Sequence, residues 1–301
     1  MNASEIQAEV NAGYYLGAIS FALLFHEYFI TLDIEVERYW TGTHSLPTVL
    51  FFLNRYVTLL GNIPVIVENY WVAPPTPQKI ATCIALQSYH RYFFIVGQII
   101  VGAMLMLRTY ALYERSKRVA ALMAAFSIAV VVVCFWSTLV KAGQSGDNLP
   151  LPIGCTFAVT DSQNVAFIIS WAAMSVFDCM IFLLTLGRAL TPRSREGTHL
   201  LTVLLRDGSI YFGVMMVCNV ANILTFVLGG AYSRGVGATL TNIISSIMIS
   251  RLMLNLRDPE LRRRGQAVDD DDEDDTELAE FSTFMMSLAT VVERPRDSFV
   301  I

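Results

Sequence analysis

Long apolar runs recur along the chain, and its polar residues gather in the segments between them. Seven such runs stand out, near 13–32, 49–68, 92–112, 119–140, 165–187, 208–229 and 236–254. Each approaches the roughly 20 residues that a helix needs to cross the hydrocarbon of a bilayer. A membrane-spanning β-strand would instead alternate apolar and polar positions over about ten residues. The run "VAALMAAFSIAVVVVCFWSTLV" (119–140) is apolar on every side, as a helix surrounded by lipid must be. The pattern predicts an all-α polytopic membrane protein, a seven-transmembrane-helix bundle over 13–257. Residues 1–12 form a short extracellular N-terminus. From Asp258 on, apolar runs give way to charge, which predicts a disordered acidic cytoplasmic tail over 258–301.

Composition sharpens this picture. Hydrophobic residues make up 54% of the 301 positions and charged ones 16%, against about 25% charged in an ordinary soluble domain. The lipid bilayer is therefore the expected partner, and no nucleic-acid partner is. The net charge of −5 comes largely from "DDDDEDD" at 269–275 and says little about the membrane part. Residues 1–12 hold no Lys or Arg, so the first helix is expected to act as its own signal anchor.

Basic residues in short loops set orientation, while acidic ones count for little. With the N-terminus outside or lumenal, fourteen Lys and Arg residues fall on the inner side, against four outside, Lys79, Arg91, Lys141 and Arg234. The inner set is Arg38; Arg108, Arg115, Lys117 and Arg118; Arg188, Arg193, Arg195 and Arg206; and Arg251, Arg257 and Arg262 to Arg264. This favours a cytoplasmic C-terminus in a plasma membrane or endomembrane protein.

Charge inside the apolar runs is costly, so each instance needs a reason. Glu27 lies about 8 Å, and Arg55 about 9 Å, inside the same predicted inner boundary, at 1.5 Å rise per residue on neighbouring antiparallel helices. They are candidates for an intramembrane charge pair with His26 and Asn54 nearby; snorkelling of both to the surface and a proton or ion site remain open. In "DIEVERYW" (33–40) apolar residues recur at helical spacing, so helix 1 is expected to run on or bend along the membrane surface, with Trp40 at the headgroups. Asp178, Asn219, Asn222 and Asn242 are intramembrane polar candidates, either joining helices by hydrogen bonds or lining a transport path. Gly13 and Gly17 have the spacing of close helix packing.

Cys134, Cys179 and Cys218 fall within predicted helices, whereas Cys83 and Cys155 fall on the predicted outer side, where disulfides persist. They form a disulfide candidate. "APPTP" (73–77) is expected to be extended or turn-like, and "GGAYSRGVG" (229–237) to reverse the chain tightly.

The blocks "LDIEVERYW" (32–40), "SLPTVLFFLNRY" (45–56), "LRTYALY" (107–113) and "SRLMLNLRD" (250–258) resemble a large fungal family of multi-pass membrane proteins built on an N-terminal domain of unknown function, with its signature at about 14–60. The resemblance covers the chain to about residue 258 and implies a membrane protein of about seven helices, with no assigned activity. Seven helices, an outer cysteine pair and Arg108 and Tyr110 at the inner end of helix 3 also look like a G-protein-coupled receptor. The sequence departs from receptors in having no acid before Arg108, no proline in helices 6 and 7, and no "NPxxY".

No lysine lies in mid-helix to carry retinal, and "HEYFI" lacks the second histidine of a zinc helix. No catalytic, cofactor-binding or metal residues are singled out, and an enzyme is not expected. The readings carried forward are a receptor-like sensor of unknown ligand, a transporter or channel with a polar path near Asp178, and a scaffold acting through its tail. The basic inner loops or tail would recruit a cytoplasmic protein partner; oligomeric state is left open.

Overall fold

A computed structural model describes residues 3–40, 45–141, 148–149, 153–189 and 199–257, all within a unit spanning Met1–Gly265. The predicted tail at 258–301 lies outside the described residues.

The chain forms helices α1 (Ala3–Ile30), α2 (Leu32–Glu35), a π-helical turn (Val36–Trp40), α3 (Leu46–Tyr70), α4 (Pro77–Leu112) and α5 (Lys117–Lys141), then two short strands, β1 (Asn148–Leu149) and β2 (Thr156–Phe157). Helices α6 (Asp161–Ala189), α7 (His199–Leu228) and α8 (Ala238–Asn255) complete it. β1 pairs with β2 in antiparallel register. Among the described residues, six helical stretches are long and apolar enough to cross a membrane: Ser4–Ile30, Leu46–Tyr70, Pro77–Leu112, Lys117–Leu139, Asp161–Arg188 and Tyr211–Leu228. The chain is thus an all-α integral membrane protein by length and composition.

Several helices exceed the apolar runs that mark them. α1 begins at Ala3 rather than near Gly13, so residues 3–12 are helical rather than a separate N-terminal segment. α4 begins at Pro77, fifteen residues before the apolar run, and carries Cys83 on its extension. Pro77 opens its first turn and the Thr76 side chain accepts from the Lys79 amide at 3.2 Å, since proline suits a position whose amide has no helical partner.

α8 explains why a seventh stretch fails the same test. It packs against α1, α3, α4 and α7, and thirteen of its eighteen residues are buried. Protein rather than lipid surrounds it, so it can hold Thr241, Asn242, Ser245, Ser246 and Ser250, all buried. Most of them have a partner: Asn54 Nδ2 donates to the Ser246 carbonyl and Ser250 Oγ, both at 2.9 Å, Ser246 Oγ donates to Thr58 Oγ1 at 2.9 Å, Thr241 Oγ1 to the Cys218 carbonyl at 3.3 Å, and Asn242 Oδ1 accepts from Gln98 Nε2 at 2.9 Å. Asn54, Thr58 and Asn62 repeat every four residues and form the matching stripe on α3. α5 is the opposite case, with Phe126, Ile128, Val132, Trp136 and Leu139 exposed around it.

The α7–α8 turn reverses within 229–237, as expected of its glycines. Gly235 has φ +73°, and a Cβ there would run into the Phe226 ring. Gly235→Ala should therefore lose about 1–2 kcal/mol from the left-handed backbone alone, read as a lower midpoint of thermal unfolding in detergent. Gly213→Ala should hold or raise that midpoint, because Gly213 is helical and nothing lies within 4 Å of the added carbon.

Candidate functional site

Helices α4, α5 and α6 leave a cavity of about 310 Å³ between them, within the range of small-molecule sites. α4 contributes Gln87, His90, Arg91, Phe94, Ile95, Gln98 and Gly102, and α6 contributes Gln163, Phe167, Ser170, Trp171, Met174, Phe177 and Asp178. Both sets recur at three- and four-residue spacing, which puts each on one helical face. α5 adds Cys134, Ser137 and Thr138, and Ser137 and Ser170 share a hydrogen bond of 2.7 Å. Trp171, Phe226 and Ala238 form a packed cluster with Phe94, Phe167 and Met174 against it.

The segment before α6 closes one end of this space. Cys155 is joined to Cys83 of α4 by a disulfide with Cα atoms 5.4 Å apart. The Gly154 amide donates to the Trp71 carbonyl and the Cys155 amide to the Glu68 carbonyl, each at 2.9 Å, while Tyr14 Oη donates to the Ile153 carbonyl at 2.8 Å. The Val159 amide donates to the Ala231 carbonyl at 2.8 Å. Held from both sides, Phe157, Ala158 and Val159 line the cavity.

Polar groups lie at both ends of the lining and apolar ones between. At the disulfide end Glu68 Oε2 meets His90 Nδ1 at 2.8 Å, and Arg234 meets Asp161 at 2.8 Å and the Val159 carbonyl at 2.9 Å. Arg91 Nε reaches its own helix's Gln87 carbonyl at 3.4 Å, and the nearby Glu68 carboxylate acts on its charge. Deeper, Gln98 Nε2 donates to Asn242 Oδ1 at 2.9 Å, and Asn219 Nδ2 donates to Asp178 Oδ2 at 2.7 Å. Of the four intramembrane polar candidates, only Asp178 is among the residues lining the cavity. Asn219 and Asn242 stand behind the wall, and Asn222 is bonded within α7, its Oδ1 accepting from Thr225 Oγ1 at 3.4 Å.

Glu27 and Arg55 do not pair with each other. Arg55 Nε binds Glu35 Oε2 at 2.5 Å and its Nη2 donates to the Tyr28 carbonyl at 2.9 Å. Glu27 binds Arg251 of α8 through Nε at 2.5 Å and Nη2 at 3.0 Å. Equal depth on α1 and α3 does not decide the pairing, because helix 1 runs on through Thr31 into α2 and the π-turn, as the spacing over 33–40 predicts, with the Thr31 amide donating to the Glu27 carbonyl at 3.3 Å and the Glu35 amide to the Thr31 carbonyl at 3.0 Å. That continuation brings Glu35, with no exposed surface, to Arg55. Trp40 Nε1 and Tyr56 Oη both donate to Glu35 Oε1, at 3.1 and 2.9 Å; Trp40 is held by this contact although its ring is 61% exposed.

Further contacts tie this region to the end of α8. Arg38 donates to the Leu254 carbonyl at 2.9 Å, Arg257 to Thr48 Oγ1 at 2.6 Å, and Tyr39 Oη to the Met253 carbonyl at 3.0 Å. Burial pushes the Tyr39 hydroxyl up to about 12, against the opposing pull of Arg257, so it stays a donor at any physiological pH. Arg108 lies 6.0 Å from the Phe212 ring centre, and Tyr110 sits half-buried two residues on, near the end of α4.

Glu35, Glu68, His90 and Arg251 did not stand out in the sequence, because each reads as a loop or helix-end charge. Their partners lie 20 to 224 residues away, a separation that only packing closes.

A family model described as a family of unknown function (DUF6533) matches residues 15–60. The match takes in most of α1, all of α2 and the π-turn, and the first part of α3, and so contains Glu27, Glu35 and Arg55. No curated protein matches the chain.

Removing one member of a buried ion pair strands the other, at about 3–5 kcal/mol. Glu35→Leu should accordingly lower thermal stability in detergent severely, and adding Arg55→Met should recover most of the loss. Equal instability of the single and double variants would show that the pair is not what Glu35 supplies.

Proposed function

We propose that this protein is a receptor-like sensor, a seven-helix membrane protein whose ligand enters the cavity from the side of the Cys83–Cys155 disulfide. The observation that carries the proposal is the cavity itself, walled by three helices and roofed by a segment held by that disulfide. Small-molecule sites are mostly apolar with a few placed polar groups, and this lining has that make-up. α8, whose polar residues lie within the shelter of its neighbours, serves as the seventh crossing. The N-terminus faces outside or the lumen and the C-terminus the cytoplasm of a plasma membrane or endomembrane, on the fourteen-to-four division of basic residues. In this proposal the protein binds its ligand without transforming it, and the basic inner loops or the tail engage a cytoplasmic protein.

The Asp178–Asn219 contact supports a second reading, a transporter whose polar path passes Asp178. Cysteine accessibility separates the two. In a Cys134→Ala background, Ile95→Cys and Met174→Cys should react with an impermeant methanethiosulfonate applied to the outside of intact cells, and Val132→Cys on the exposed face of α5 should not. Reaction from the outer side alone is the expected result. Reaction from both sides would replace the sensor with the transporter, and reaction from neither would overturn both.

A further inference from the structure

The two ends of the cavity differ in how their charges are balanced. At the disulfide end, acids and bases come in pairs, Glu68 with His90 and Arg234 with Asp161. At the inner end stands one carboxylate. Asp178 Oδ2 accepts from the neutral Asn219 amide at 2.7 Å, and its other oxygen has no partner among the described residues. The neighbouring polar pair, Gln98 with Asn242, is also neutral.

Depth makes this imbalance expensive. Asp178 is seventeen residues into α6 and eleven from its end, so about 26 Å and 16 Å from the two helix termini at 1.5 Å per residue. A carboxylate at such depth marks a functional site by default, and the useful question is what neutralises it. No basic side chain of the protein does so among the described residues, yet the carboxylate faces open space.

The approach to it is lined by rings. A carbon added at Gly102 would lie 3.6 Å from Phe177, which puts position 102 of α4 level with 177 of α6. Phe94, two turns higher, packs on the cluster that holds Trp171. Arg91 is eleven residues above Gly102, about 16 Å along the axis. The cavity is therefore an elongated slot with a guanidinium near its upper end, aromatic walls, and a carboxylate at the bottom. Aromatic faces attract organic cations, more strongly where water is excluded.

From this we infer that the cavity binds an elongated monoamine, with its protonated nitrogen on Asp178 and an apolar body against Phe94, Phe167 and Trp171. Charge at the other end is already balanced, with Glu68 beside His90 and Arg91 and with Asp161 beside Arg234, so a second ammonium group there meets no unpaired anion and a diamine gains nothing over a monoamine. The inference rests on the sensor reading of the cavity, and it goes further by naming the ligand's charge and direction.

Protection of Met174→Cys, in the Cys134→Ala background and in nanodiscs, gives the test. The probes are 4-phenylbutylamine, 4-phenylbutan-1-ol, 4-phenylbutyric acid, 1,8-diaminooctane and sodium chloride. The amine should slow methanethiosulfonate labelling at a concentration about tenfold below that of the alcohol, a difference expected of one charge-assisted hydrogen bond. The acid should be weaker still, and the diamine should protect no better than the monoamine. Asp178→Asn, which keeps the size of the side chain, should abolish the preference for amine over alcohol; should that variant fail to fold, the probe series on the Asp178 protein decides. Equal protection by amine, alcohol and acid would overturn the amine assignment while leaving an accessible cavity in place. Protection by sodium alone would overturn it in favour of an alkali-cation site, and no protection by any probe would overturn it as well. Labelling of Met174→Cys without probes reports separately on the sensor reading.

Discussion

A guanidinium buried away from water must find an anion or not be there at all. Arg55 is 7% exposed and lies inside the bundle on α3, and the anion it finds is Glu35. That demand is met by the helical continuation of α1 through α2 and the π-turn. The π-turn then stacks Tyr39 on Phe51 with ring centres 3.9 Å apart, and Arg257, beyond α8, sits 3.9 Å over the other side of Tyr39's ring system. Arg257 also donates to the Arg38 carbonyl at 3.2 Å. One ion pair thus organises a junction in which the first and last described parts of the bundle hold each other, with Glu27 and Arg251 as a second tie between α1 and α8. The segment matched by the family model lies across this junction.

The bundle is graded from its centre outwards. α8 sits among four helices and carries hydroxyls and amides that its neighbours satisfy; α5 packs on α4 and α6 and turns branched and aromatic side chains outwards. The gradient follows from which solvent each helix meets. Interhelical hydrogen bonds in a membrane contribute about 0.6 kcal/mol each on average, so the α3–α8 seam specifies register more than it adds stability.

The two ends of the bundle are built for different work. At one, Glu35, Arg38, Tyr39 and Arg257 tie α2, the π-turn, α3 and the end of α8 together. At the other, a disulfide and several backbone hydrogen bonds hold a segment over a space that side chains leave empty. A disulfide between the extension of α4 and the segment before α6 fixes the roof to the wall without filling what lies beneath. That is the arrangement of a site that must keep its shape while its contents change.

Hydropathy by itself determined the fold class, because backbone groups in hydrocarbon must bond within their own helix and only long apolar helices do so without side-chain help. It also marked Cys83 and Cys155, Asp178, and Arg55 as residues needing an explanation, since each type is costly or reactive in its setting. Partner choice was not legible. Whether Arg55 meets Glu27 or Glu35 depends on how the helical continuation through α2 and the π-turn packs against α3, which spacing along the chain does not state, and α8's polar residues find partners on helices that are distant in sequence. The cavity exists only where faces of α4, α5 and α6 converge, so the tertiary structure alone decided that Asp178 borders space while Asn219 and Asn242 bond to neighbouring helices and Asn222 bonds within α7.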